Sequence, residues 1–325
     1  MQKISSYSPI KKNYLSKNST PNRKITFCNA NTFTTKHNPP KNKLLKFSAI
    51  TGIALLVMGA LGKKHLSKLE QKNIFAPNRR VFKPIPKNLE NVIKTVTTKT
   101  KDGLSLEHYY IPAQEGKKTI VFCHGVINNA TKFFNVAEFL HQKGYGILLL
   151  EYRGFGKNPG ITSEKGFAKD LDSAVDYLKQ QGISQEKITL WGFSMGGGVA
   201  TEAAKSNKFS GLILSSPFTD MKSIVKYELN KKPPIKNALV QNILKSIPAK
   251  MLPLGNKFEN QSKIASIRTK TLILHAKDDN VIPFEMAKKL AEKAPNAQLY
   301  ISETGGHEPL GLSEETILEF LNSLQ

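Results

Sequence analysis

The chain has 325 residues, enough for one large domain or two small ones with a sizeable buried core. Its formal net charge of +23 suggests a nucleic-acid binder, but residues 1–87 carry 18 lysines and arginines against one acid, Glu70, while residues 88–325 carry 30 basic and 24 acidic side chains. The charge is therefore mainly an N-terminal property, no groove-reading motif accompanies it, and a nucleic-acid partner is not expected. Two cysteines, Cys28 and Cys123, exclude a disulfide framework.

In chain order, residues 1–43 are rich in Asn, Lys, Ser and Thr, too poor in large apolar residues to bury a core, and predicted to be a disordered basic tail. Residues 44–64 contain the uncharged run Phe47–Gly62, flanked by Lys41, Lys43 and Lys46 before it and Lys63 and Lys64 after it. As a helix that run spans about 24 Å, against roughly 30 Å of hydrocarbon. A single membrane anchor is the first expectation, with a cleaved signal peptide or an organelle transit peptide as alternatives. Residues 65–87, polar, basic and punctuated by Pro77, Pro84 and Pro86, read as a linker, which sets the domain at 88–325.

Inside the domain, Val92–Thr100 and Leu104–Ile111 are β-rich and separated by Lys101-Asp102-Gly103, a hairpin signal. Apolar strands follow at Thr119–Cys123, Gly146–Tyr152, Lys187–Phe193, Gly211–Ser215, Thr271–His275 and Gln298–Ser302. Helical stretches stand between them near Lys132–Lys143, Glu164–Gln181, Met195–Ser206 and Phe284–Ala294, and one more begins at Glu314. An opening hairpin followed by strand–helix alternation predicts an α/β fold, a mostly parallel sheet with helices on both faces. Ligands of such sheets sit at the carboxyl ends of the strands.

The chemistry-bearing residues fall at those ends. Gly192-Phe193-Ser194-Met195-Gly196 is a G-x-S-x-G between a strand and a helix, a turn too tight for a Cβ at either glycine, which leaves the serine exposed as a nucleophile. A base and an acid are needed, in the order Ser…Asp…His for this architecture. Only His275 and His307 follow the serine. His275 lies inside a strand end and reads as a packing or hydrogen-bonding residue, whereas His307 sits in a Gly-Gly loop and is the expected base. Of the adjacent Asp278 and Asp279, Asp279 is the expected acid and Asp278 a loop-capping or solvated residue. The oxyanion donors are then the backbone N–H groups of Met195 and of Val126, just past His124-Gly125. His124 reads as a structural residue holding that loop.

Together VFCHG, LLLEYRGFGKNPG, WGFSMGG, LILHAKDDNVIP and TGGHEPL resemble the α/β-hydrolase superfamily, in family order from about residue 90 to the end. The likeness is to small-lid members with an N-terminal membrane segment, among them acyl-protein thioesterases, lipid esterases and peptidase-like hydrolases. It implies a serine hydrolase that cleaves a carboxylic ester or thioester through an acyl-enzyme, with no metal and no organic cofactor. An amide-cleaving peptidase and a non-catalytic membrane adaptor are the alternatives. Val126 departs from the polar residue of many relatives, at little cost because its backbone does the work. Residues 217–265 form an insertion, the expected lid, with nine lysines against Asp220, Glu228 and Glu259. Its stripe Ile235, Leu239, Ile243, Leu244 and Ile247, followed by Met251, Leu252 and Leu254, predicts a helical cap over the site. Its charge suits an anionic lipid surface.

Overall fold

A computed structural model describes residue 68 and residues 70–79, 83–126, 128–231, 242, 245–246, 248–252 and 254–324. The predicted basic tail, the apolar run 44–64 and the cap stripe from Ile235 to Ile247 lie outside the described residues. Among the described residues no helix is long and apolar enough to cross a membrane.

Eight strands form one sheet in the order β1-β2-β4-β3-β5-β6-β7-β8: β1 (Lys94–Lys99), β2 (Ser105–Ile111), β3 (Thr119–Cys123), β4 (Gly146–Leu150), β5 (Ile188–Phe193), β6 (Gly211–Ser215), β7 (Thr271–Ala276) and β8 (Ala297–Ser302). The hairpin β1–β2 pairs antiparallel, and β2 meets β4 antiparallel through Tyr109↔Leu149. Every later pairing is parallel. Gly103, at φ +88°, makes the hairpin turn with its N–H on the Thr100 carbonyl.

The inner strands β3 to β7 are buried along their length, so their runs of Ile, Leu, Val and Phe serve both faces. Alternation sorts them. Val121, Leu190, Leu214 and Ile273 face a core with α2 (Glu164–Gln180), α3 (Met195–Ala204) and α6 (Glu285–Lys293). Ile120, Phe122, Trp191, Ile213 and Leu272 face a second core with α1 (Phe134–Gln142) and α7 (Glu314–Asn322). Ser163 and Ser313 cap α2 and α7 by accepting the Gly166 and Thr316 amides.

The insertion holds α4 (Met221–Lys231), a 3₁₀ turn at Ala249–Met251 and the short α5 (Asn260–Ile264). Leu252 and Leu254 are buried, whereas Met251, expected to pack with them, points to solvent.

The predicted linker is corrected in part. A π-helical turn at Gln71–Phe75 packs on the domain, with Ile74 and Phe75 in the core. The Phe75 ring stands 5.4 Å from Phe167 and 6.3 Å from Phe258, both edge-on. Glu70 is buried, its carboxylate accepting from the Gly255 N–H and the Asn256 side-chain amide. Three residues of ten decided the packing; the lysines and prolines around them set the composition that suggests a linker.

Candidate active site

The turn between β5 and α3 is built by its glycines. A Cβ on Gly192 would come within 2.5 Å of the Gly196 carbonyl oxygen and the Gly197 Cα, and one on Gly196 would collide with the backbone carbonyl of Cys123. Between them Ser194 is held at φ 55°, ψ −119°, a conformation that costs a non-glycine residue of order 1–3 kcal/mol. The turn is pinned on both sides: the Ser194 N–H donates to the Ser215 carbonyl and the Gly197 N–H to the Ser194 carbonyl, each at 2.9 Å. Ser194 keeps 8% of its surface open. Met195 is the first residue of α3, where helix N–H groups lack intrahelical acceptors.

Opposite stands the end of β3. A Cβ on Gly125 would lie 3.2 Å from the Ser194 Cβ and 3.5 Å from its Oγ, so the Gly125–Val126 chain runs directly beside the serine. Val126 is half-buried against the core on the α3 side. The buried His124 holds this corner. Its Nδ1 donates to the Gly125 carbonyl at 2.7 Å and its Nε2 meets the Glu151 carboxylate at 3.1 Å. The other Glu151 oxygen accepts the Ala130 N–H at 3.1 Å. Tyr152 and Phe155 pack on the ring at 4.5 and 5.2 Å.

The loop after β7 carries the acids and the loop after β8 the histidine. His307 Nδ1 donates to Asp279 Oδ2 at 2.8 Å. The Asp279 side chain is fully covered, whereas His307 is partly open. Asp279 Oδ1 accepts the Val281 and Ile282 amides at 2.8 and 2.9 Å, and Oδ2 also meets His275 Nε2 at 3.1 Å. Burial would raise the Asp279 carboxyl, but the hydrogen bonds from His275 and His307 outweigh it and hold the group well below the usual carboxylate range. The exposed Asp278 turns the other way and accepts the Gly306 N–H at 2.8 Å. It caps the loop that presents His307. The His307 ring lies 4.9 Å from the ring of Phe193, the residue before Ser194.

The structure thus gathers Ser194, Met195, Val126, Asp279 and His307 at the carboxyl ends of β3, β5, β7 and β8. Two neighbours were not legible as partners. His275 reaches the Asp279 carboxylate, and Glu151 braces His124. The only sequence signal for Glu151 is an acid closing the apolar run ILLLE.

This sheet order, with a nucleophile-type elbow after its fifth strand and an Asp–His pair on the last two loops, defines the α/β-hydrolase fold. Residues 114–263 match the family described as serine aminopeptidase, S33, and residues 248–322 the family described as TAP-like protein. Among relatives, the protein Rv2307c of Mycobacterium tuberculosis is 28% identical over 220 residues, covering 66% of this chain and 72% of its own. The human protein ABHD12B is 31% identical over 205 residues, covering 58% of this chain and 53% of its own length. The esterase Pf2001 of Pyrococcus furiosus superposes with a TM-score of 0.59 at 23% identity, over 76% of this chain and 97% of that one.

Proposed function

We propose that the chain is a serine hydrolase that cleaves carboxylic esters or thioesters of acyl chains through an acyl-enzyme, with Ser194 as nucleophile, His307 as base and Asp279 as acid. The observation that carries it is the 2.8 Å bond from His307 Nδ1 to a buried, multiply bonded Asp279, with the His307 ring packed against the residue that precedes a strained Ser194. That bond leaves Nε2 of His307 free to take the Ser194 proton as the hydroxyl attacks the acyl carbon. The same proton later goes to the departing alcohol or thiol. Asp279 stays ionised, fixes the imidazole tautomer and stabilises the imidazolium. The N–H groups of Met195 and Val126 receive the charge that develops on the carbonyl oxygen. No metal or organic cofactor is required.

The likeness to an esterase of the same fold supports ester chemistry, and the S33 match favours a second reading, cleavage of an amide such as an aminoacyl bond. The triad suits either leaving group. A panel of acyl-chain esters, thioesters and aminoacyl amides, each hydrolysed by wild type and by Ser194→Ala, separates them. Ester or thioester turnover lost in Ser194→Ala supports the first reading; turnover of amides alone supports the second; turnover that survives Ser194→Ala contradicts both.

The setting we propose is an anionic membrane surface. The apolar run Phe47–Gly62 would anchor the chain, and the lysine-rich cap would rest on lipid. Replacing Lys231, Lys232 and Lys236 by Glu then weakens hydrolysis of a liposome-borne substrate and spares a soluble ester. Equal loss on both, or loss on neither, contradicts the membrane setting.

A further inference from the structure

His275 is fully buried at the end of β7, and the reaction described above gives it no task. Its Nε2 lies 3.0 Å from the Ile282 carbonyl and 3.1 Å from Asp279 Oδ2. Both partners accept, so the ring hydrogen sits on Nε2 and is shared between them. Nδ1 is then a bare acceptor, and it is buried with no hydrogen-bond partner among the described residues. A buried polar atom left in that state is costly, and an apolar side chain of similar size would avoid the cost. What the ring supplies in exchange is one donor aimed at the oxygen that also receives His307.

We infer that His275 is a positioning residue for the acid of the triad: its Nε2–H fixes Oδ2 of Asp279 in line with His307 Nδ1 and limits how strongly that oxygen holds the imidazolium. The inference rests on the reading of Ser194, His307 and Asp279 given above. Among the described residues the remaining charged and titratable neighbours of Asp279 are few. Asp278 bonds the Gly305 and Gly306 amides. From the cap, Tyr227 feels the Asp279 charge, together with that of Glu285 on α6, and Lys231 donates to the Asn280 carbonyl. None of these supplies a second hydrogen bond to Oδ2 from the strand side.

Without the His275 donor, negative charge on Oδ2 is less spread and binds the His307 proton more tightly. The base is then released only at higher pH. The test compares His275→Gln, whose amide nitrogen can reach the place of Nε2, with His275→Asn, whose shorter amide reaches only the place of Nδ1. The full-length enzyme is used, active sites are counted with a fluorophosphonate, and kcat/KM for a soluble ester is followed against pH. The Asn variant moves the acidic limb upward by about one pH unit. The Gln variant keeps the limb near that of wild type. Folding is monitored by thermal melting, and His275→Leu, apolar and without a donor, repeats the Asn result if the Asn variant does not fold. An acidic limb shared by wild type and the donor-less variant, or a Gln variant displaced as far as Asn, overturns the inference. Asp279→Asn is run beside them: wild-type kcat/KM there overturns the triad itself, a separate failure.

Discussion

At the scale of single residues, one backbone step separates two aspartates with different tasks. Asp279 turns inward to His307 and His275, and Asp278 turns outward to the glycine amides of the same histidine's loop. Asp279→Asn should therefore lower kcat about 10⁴-fold, because an amide supports the wrong imidazole tautomer. Asp278→Asn should cost less than tenfold, since it only loosens the loop. Equal losses in steady-state kinetics would contradict the division. The elbow makes a sharper demand. Gly196→Ala drives a methyl into the Cys123 carbonyl, and neither backbone can retreat without moving β3 or α3. That variant should lose soluble, cooperatively melting protein and not merely activity. Sequence nominates Ser194, His307 and Asp279 because strand ends and loop glycines mark them locally. It left His275 as a packing or hydrogen-bonding residue, because only the fold of the loop after β7 turns Asp279 and the Ile282 carbonyl back onto its ring, and it passed over Glu151, whose partners His124 and Ala130 lie on another strand end.

At the scale of elements, the sheet was legible almost strand by strand, since runs such as ILLL and TLILHA are short, apolar and bounded by turn residues. Residues 70–79 were not. The lysines, arginines and prolines of 65–87 outweigh one isoleucine, one phenylalanine and one acid in any compositional window, yet those three residues dock the segment between α2 and the loop before α5. Phe75→Ala should destabilise the domain by about 3–5 kcal/mol. The melting temperature should fall on the order of 10 °C. A melting temperature unchanged in that variant would return the segment to a linker. Because the segment closes on Gly255 and Asn256 at the base of the insertion, it ties the upstream chain to the cap.

At the scale of the whole molecule, basic residues dominate the N-terminal part and the insertion, while the rest of the domain is close to neutral. Its buried polar groups set how it answers acid. His108 accepts the Glu151 N–H and faces Thr98, and burial pushes it down to about 3 from an ordinary value of 6.5. A histidine kept neutral in the folded state lets the unfolded chain take its proton first. Stability therefore falls as pH drops from 6.5 towards 3, by up to about 1.4 kcal/mol per pH unit for one proton. His108→Gln, which cannot titrate, should flatten the pH dependence of denaturant unfolding in that window, and an unchanged slope would contradict the assignment.

All of this converges on whether the strained serine is the nucleophile. A fluorophosphonate reacts covalently only with a hydroxyl activated by its neighbours. Applied to the folded full-length protein and mapped by peptide mass spectrometry, it should modify Ser194 in the wild type, slow markedly in His307→Ala and leave Ser194→Ala unlabelled. A folded wild type that resists the probe, or labelling undiminished in Ser194→Ala, would contradict the account.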